Sequence, residues 1–142
     1  MATKTLLVPV DFSSSSNRAL AAAKELAPKL DAELVLLHTF EPPFTMGELS
    51  PLLVQQFYEE AVPAATRALE NLARENGVTR TFFREGAPGP EICRLAEELA
   101  PEAIVMGTHG RTRLRHLVTG SVAAYVIRHA SVPVMTVRDP ST

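Results

Sequence analysis

The sequence predicts an α/β protein built on a five-stranded parallel sheet with helices on both faces. Three observations carry that expectation. Short apolar runs alternate with longer amphipathic stretches along the whole chain, the pattern of successive βα units. The apolar runs are close to continuous, as strands covered on both faces require. Strand and helix alternate throughout, as right-handed crossovers between parallel strands require. At 142 residues the chain has the usual size of one domain, and residues 1–142 are read as one.

Thr5-Leu6-Leu7-Val8-Pro9-Val10 is the first strand. Asp11 to Asn17 offers several oxygen acceptors for the orphan amides of a helix start, so a helix is expected from about Ser16 to Leu30. Pro28 removes one helical hydrogen bond there and predicts a kink or an early stop. Glu33 to Thr39 is the second strand, ended by Pro42 and Pro43. Residues 41–51 read as a long loop. Pro51 to Asn76 is helical by composition, with Gly77 as its stop and Pro63 as a point where it breaks in two. Val78 to Arg84 is a third, more polar strand suited to a sheet edge. A helix from about Pro90 to Ala100 places Leu95 and Leu99 on one face. Ala103 to Met106 is the fourth strand, Ser121 to Arg128 a further helix and Val132 to Val137 the fifth strand.

Composition narrows the function classes. Hydrophobic residues make up 46% and charged residues 21% of the chain, which excludes a disordered tail, a collagen-like repeat and a supercharged nucleic-acid binder. The net charge is -2, so no long-range field draws in polyanions, and no nucleic-acid partner is expected. That average hides an asymmetry. The first 102 residues carry nine basic and fifteen acidic side chains, the remainder five and one. Cys93 is the only cysteine, which rules out an intrachain disulfide and a cysteine-rich zinc site; on an amphipathic helix it reads as a packed residue. The apolar run near the N-terminus is too short for a signal-peptide core, and no later run approaches the ~18 residues of a membrane span. A soluble, cytoplasmic protein with no membrane partner is expected.

The stretch Gly107 to Ser121 is the most informative. It joins a strand to a helix and holds three of the seven glycines. Spaced glycines let backbone amides turn toward one anion, and Gly120-Ser121 opens a helix whose free amides and partial positive charge favour a phosphate. Arg111, Arg113 and Arg115 crowd the same loop, either as a solvated surface or as an aid to anion attraction. Asp11, at the end of the first strand, is either a helix cap or a group facing the crevice where ligands of such sheets sit. His109 and His116 have no third ligand type nearby for zinc, and His38 and His129 have no catalytic partner visible in the sequence.

The spacing Gly107-x2-Gly110-x9-Gly120-Ser121 resembles the signature of the ATP-binding branch of the universal stress protein family. Val8 to Ser13, Val35 to Thr39, Gly86-Ala87-Pro88 and Pro133 to Val137 are similar to other segments of that family, so the resemblance covers almost the whole chain. It implies that the backbone just past the second strand, at Thr39, holds an adenine flanked by Pro9 and Val10. It implies that Asp11 lies near the ribose and any Mg2+ ion, that Met106 and Gly107 touch the ribose, and that Gly110, Gly120, Ser121 and Val122 hold the phosphates. It also implies a homodimer paired through the last strand, Val132 to Val137.

Competing classes lack their parts. There is no Gly-x-x-x-x-Gly-Lys-Ser/Thr for a P-loop NTPase and no Gly-x-Gly-x-x-Gly after the first strand for a dinucleotide oxidoreductase. A phosphate-receiving signalling domain would need an acidic pair after the first strand, where Asp11 stands alone. The expected protein is therefore a parallel sheet of strand order 3-2-1-4-5 that binds ATP at its carboxyl edge as a regulator or sensor of stress. Any ATPase activity is expected to be slow, since no base to position an attacking water is evident. The alternative is a dimeric interaction protein with a vestigial pocket.

Overall fold

The computed structural model describes residues 3–109 and 120–139. Lys4–Pro9 forms β1, and its Thr5, Leu6, Leu7 and Val8 are all buried. Helix α1 spans Ser14–Leu30, capped by the Ser13 hydroxyl, which accepts the Ser16 amide at 3.1 Å. It ends at Asp31 in the left-handed region, φ 53°, whose amide reaches the Ala27 and Pro28 carbonyls. β2 is Ala32–Phe40, and a short 3-10 turn follows over Phe44–Glu48, within the stretch expected to be loop. Helix α2 runs over Pro51–Glu75, with the Ser50 hydroxyl accepting the Leu53 amide. Gly77, at φ 69°, then turns the chain so that the Val78 amide bonds Ala73.

Neither internal proline stops its helix: α1 continues through Pro28 without the early stop, and α2 is one helix through Pro63. The reason is placement. Pro28 and Pro63 are exposed, as are Lys24 and Glu59 four residues before them, so each carbonyl deprived of its helical donor stays open to water.

β3 spans Arg80–Glu85, starting two residues later than expected because Val78 is buried below the end of α2. α3 spans Pro88–Leu99, two residues earlier than expected, since Pro88 also fits a first turn whose amides lack acceptors. β4 is Ala103–Gly107, α4 is Ser121–His129, and β5 is Val134–Val137. β5 starts later than expected: Pro133 contributes only its carbonyl, to the Ile104 amide at 2.9 Å.

The five strands form one parallel sheet in the order β3-β2-β1-β4-β5. Its core lies in two layers. Val8, Leu36 and Val105 face α1 and α2, while Leu7, Val35, Leu37, Ile104 and Met106 face α3 and α4. Successive residues of one strand thus enter opposite clusters, so the apolar runs of the sequence do not alternate. From β1 the chain passes outward to β2 and β3, then returns to the other side of β1 with β4. The reversal falls between β1 and β4, the switch point at whose carboxyl ends ligands of such sheets bind.

Candidate functional site

Five of the ten expected site residues, Pro9, Val10, Asp11, Met106 and Gly107, lie at or just past these two strand ends. Pro9 closes β1 opposite Leu37, and the next amide, of Val10, bonds the Leu37 carbonyl at 2.8 Å. The Val10 side chain is in the core, so the backbone is what this residue offers at the edge. Asp11 is half-buried. Its Oδ1 accepts the Ser13 amide at 3.0 Å, and its own amide donates to Ser16 Oγ at 3.3 Å. Of the two readings of Asp11, the capping task at α1 belongs to Ser13; Asp11 instead closes a turn two residues long. Phe12 within that turn adopts φ 66°, a conformation rare for a bulky residue and held by its surroundings.

Thr39 lies inside β2 rather than past it, opposite Arg84 of β3. Met106 is buried among the residues facing α3 and α4. Gly107 ends β4 against the first turn of α1: a Cβ there would meet the Ser15 hydroxyl and lie 2.9 Å from the Ser15 backbone carbon and oxygen. The Ser15 hydroxyl is itself buried and has no hydrogen-bond partner among the described residues.

Gly120 is the residue before α4, and its amide donates to the Thr108 carbonyl at 2.5 Å. That bond sets the N-terminus of α4 beside the carboxyl end of β4. A Cβ on Gly120 would stand 2.8 Å from the Thr108 oxygen, so glycine permits the approach. The Gly120 amide, expected to face a phosphate, is thus engaged within the chain. The first bond inside α4 runs from the Ala124 amide to the Gly120 carbonyl, and no described side chain caps the helix. The amides of Ser121, Val122 and Ala123 therefore lack an intrahelical acceptor. Ser121 is exposed and Val122 half-buried. Gly110, Arg111, Arg113, Arg115 and His116 lie outside the described residues.

The structure also places at this edge residues to which the sequence gave no role. His38 is buried, with Nδ1 2.8 Å from the Val10 carbonyl and its ring 4.6 Å from Phe12 and 5.8 Å from Phe83. A polar residue late in an apolar strand was the available signal, since a buried imidazole needs a partner. Arg18 of α1 meets Asp139 at 2.6 Å, across 121 residues of chain, and no local pattern announces that pair. Among the described residues no group of three His, Cys, Asp or Glu is arranged to hold a metal ion. A divalent cation here would depend on ligand oxygens, with Asp11 as the expected protein carboxylate. Cys93 is buried, and burial followed by the nearby Glu97 raises its thiol above the ordinary range, which suppresses nucleophilicity. Two shallow grooves, of about 390 and 420 Å3, lie along the α1–α2 seam and at the α2–β3 turn, away from this edge. No described helix is long and apolar enough to cross a membrane.

The model of the universal stress protein family matches residues 2–138. Universal stress protein MJ0531 of Methanocaldococcus jannaschii is 35% identical over 141 residues, covering 96% of this chain and 83% of its own length. The solved structure of MJ0577 superposes with a TM-score of 0.86 at 26% identity over 100% of both chains. A universal stress protein in complex with cAMP superposes with a TM-score of 0.66 at 25% identity, covering 99% of this chain and 100% of its own.

Proposed function

This chain belongs to the universal stress protein family, and on that footing we propose that it binds ATP at the carboxyl edge of the sheet as a nucleotide-dependent regulator of the stress response. The observation that carries this reading is the N-terminus of α4, which has no capping side chain among the described residues and is drawn to the end of β4 by the Gly120 to Thr108 hydrogen bond. Amides without intrahelical acceptors, a helix dipole and the switch point of the sheet between β1 and β4, where ligands of such folds bind, coincide there. A solved relative of like fold is described with cAMP bound, which supports an adenine nucleotide as the ligand class.

In this reading the adenine rests on the Thr39 backbone beside Pro9 and Val10. Asp11 faces the ribose and one Mg2+ ion, and Met106 and Gly107 line the ribose. Gly110, Ser121 and Val122 hold the phosphates, and Gly120 acts through its missing side chain. When bound, the triphosphate would supply the charge that is recognised and Mg2+ would screen it; the chain's own residues bind and orient, and any turnover is slow. One domain spans residues 1–142 and works in the cytoplasm. Two copies pair through β5, an edge strand with a neighbour on one side only and Met135 42% exposed.

A second reading, a dimeric interaction protein with a vestigial pocket, draws on the Gly120 amide being already bonded inside the chain. Calorimetry with ATP and Mg2+ separates the two. Micromolar binding that Gly120→Val abolishes supports a nucleotide-gated regulator; no heat at millimolar ATP supports the vestigial pocket.

A further inference from the structure

Asp139 is the single acidic residue after Glu102, in a stretch that carries five basic ones. It stands two residues past β5 and is half-buried. One of its oxygens meets Arg18 Nη1 on α1 at 2.6 Å, and the other lies 3.8 Å from His109 Nδ1. The same ring nitrogen is 3.0 Å from the hydroxyl of Thr108, a buried residue. The carbonyl of Thr108 is the acceptor of the Gly120 amide, and a Cβ on Gly120 would come within 3.2 Å of the His109 Cα. The residues that flank positions 110 and 119, His109 and Gly120, therefore meet at one point, and a carboxylate paired with Arg18 of α1 lies beside that point.

We propose that Asp139 is a positioning residue for nucleotide binding: anchored by Arg18, it holds His109 and so fixes the Thr108–His109 backbone on which Gly120 and the N-terminus of α4 are seated. The inference rests on the nucleotide reading above and adds to it a residue outside the glycine signature. The Arg18–Asp139 contact is charge-assisted and short, and it links α1 to a loop base that shares no chain segment with it. Donors at a ligand site must be held to within about half an ångström to be effective. At 3.8 Å the carboxylate acts on the His109 ring through charge and packing, and the Thr108 hydroxyl at 3.0 Å is the hydrogen-bond partner of Nδ1.

The test uses the full chain and the variants Asp139→Asn, Asp139→Glu and Arg18→Met, with ATP and Mg2+ as the calorimetric probe. Asp139→Asn and Arg18→Met are each expected to weaken ATP binding by roughly fivefold, non-additively when combined, while Asp139→Glu recovers most of the loss. Nitrogen-15 spectra of the His109 ring, taken without nucleotide, are expected to change between the wild type and Asp139→Asn. Exchange of the Gly120 amide should quicken in the same variant. Affinity within twofold of wild type in both neutral variants overturns the proposal. If the wild type itself binds no ATP, the nucleotide reading falls. The brace is then judged on the ring spectra and Gly120 exchange alone, where a change supports it and no change overturns it.

Discussion

Replacing Gly107 by alanine separates two explanations of a glycine at the end of β4. A glycine that only leaves room for a ribose would accept a methyl group in the empty protein without loss of stability. The structure predicts otherwise, because the added Cβ meets the Ser15 hydroxyl and lies 2.9 Å from the Ser15 backbone carbon and oxygen. Relieving those backbone contacts moves the first turn of α1 away from β4 by roughly half an ångström. Overpacking of this kind destabilises by about 1–3 kcal/mol. For a chain of this length that is a fall in Tm of about 4 °C per kcal/mol. Ser15→Ala removes a buried hydroxyl that has no partner among the described residues, so alone it is expected to be neutral or mildly stabilising. Combined with Gly107→Ala it recovers only part of the loss, since the backbone contacts remain. The assay is urea denaturation and calorimetric melting of the four proteins without nucleotide. A Gly107→Ala Tm within about 1 °C of wild type would refute the packing account and return Gly107 to the ligand alone.

Other outcomes follow from single contacts. His38→Leu leaves the Val10 carbonyl without its imidazole partner and removes the ring tilted against Phe12; a loss of about 1–3 kcal/mol is expected in urea titration, and an unchanged midpoint would contradict it. Cys93, buried and with its thiol pushed up by burial and by Glu97, is expected to react with a disulfide reagent only as fast as the protein opens. The sign of its pH dependence follows: the unfolded thiol ionises first, so the Cys93 contribution favours the fold up to the unfolded pKa and diminishes as the pH rises above it. Cys93→Ala should flatten the alkaline fall in stability; an equal fall would count against this assignment. Val134→Lys, on the edge strand β5, is expected to give monomers in light scattering, whereas an unchanged dimer would place the interface elsewhere.

The sheet was legible because four of the five strands are apolar runs short enough to be told from a helix, and the more polar β3 is the edge strand it was expected to be. What the local pattern missed depended on exposure. Pro28 and Pro63 read as breaks from their chemistry alone, yet both sit where water reaches the carbonyl that loses its donor, so tertiary placement overrode local preference. At the site, the glycine spacing was visible but its physical content was not. Gly107 and Gly120 are required by close backbone approach to Ser15 and Thr108, contacts that no spacing encodes. His38 reaches Val10 across 28 residues, and Arg18 reaches Asp139 across 121. Such pairs exist only once the parallel sheet has brought β1, β2, β4 and the end of β5 together.

The central claim is that the first amides of α4 receive a phosphate, and backbone amide spectra recorded during titration with ATP and Mg2+ address it most directly. The account predicts that Ser121 and Val122 shift most, together with Asp11 at the end of β1, and that the shifts saturate in the micromolar range. Spectra in which Ser121 and Val122 stay fixed at millimolar ATP, or in which the changes gather along the α1–α2 groove around Lys24 and Asn76, would contradict it.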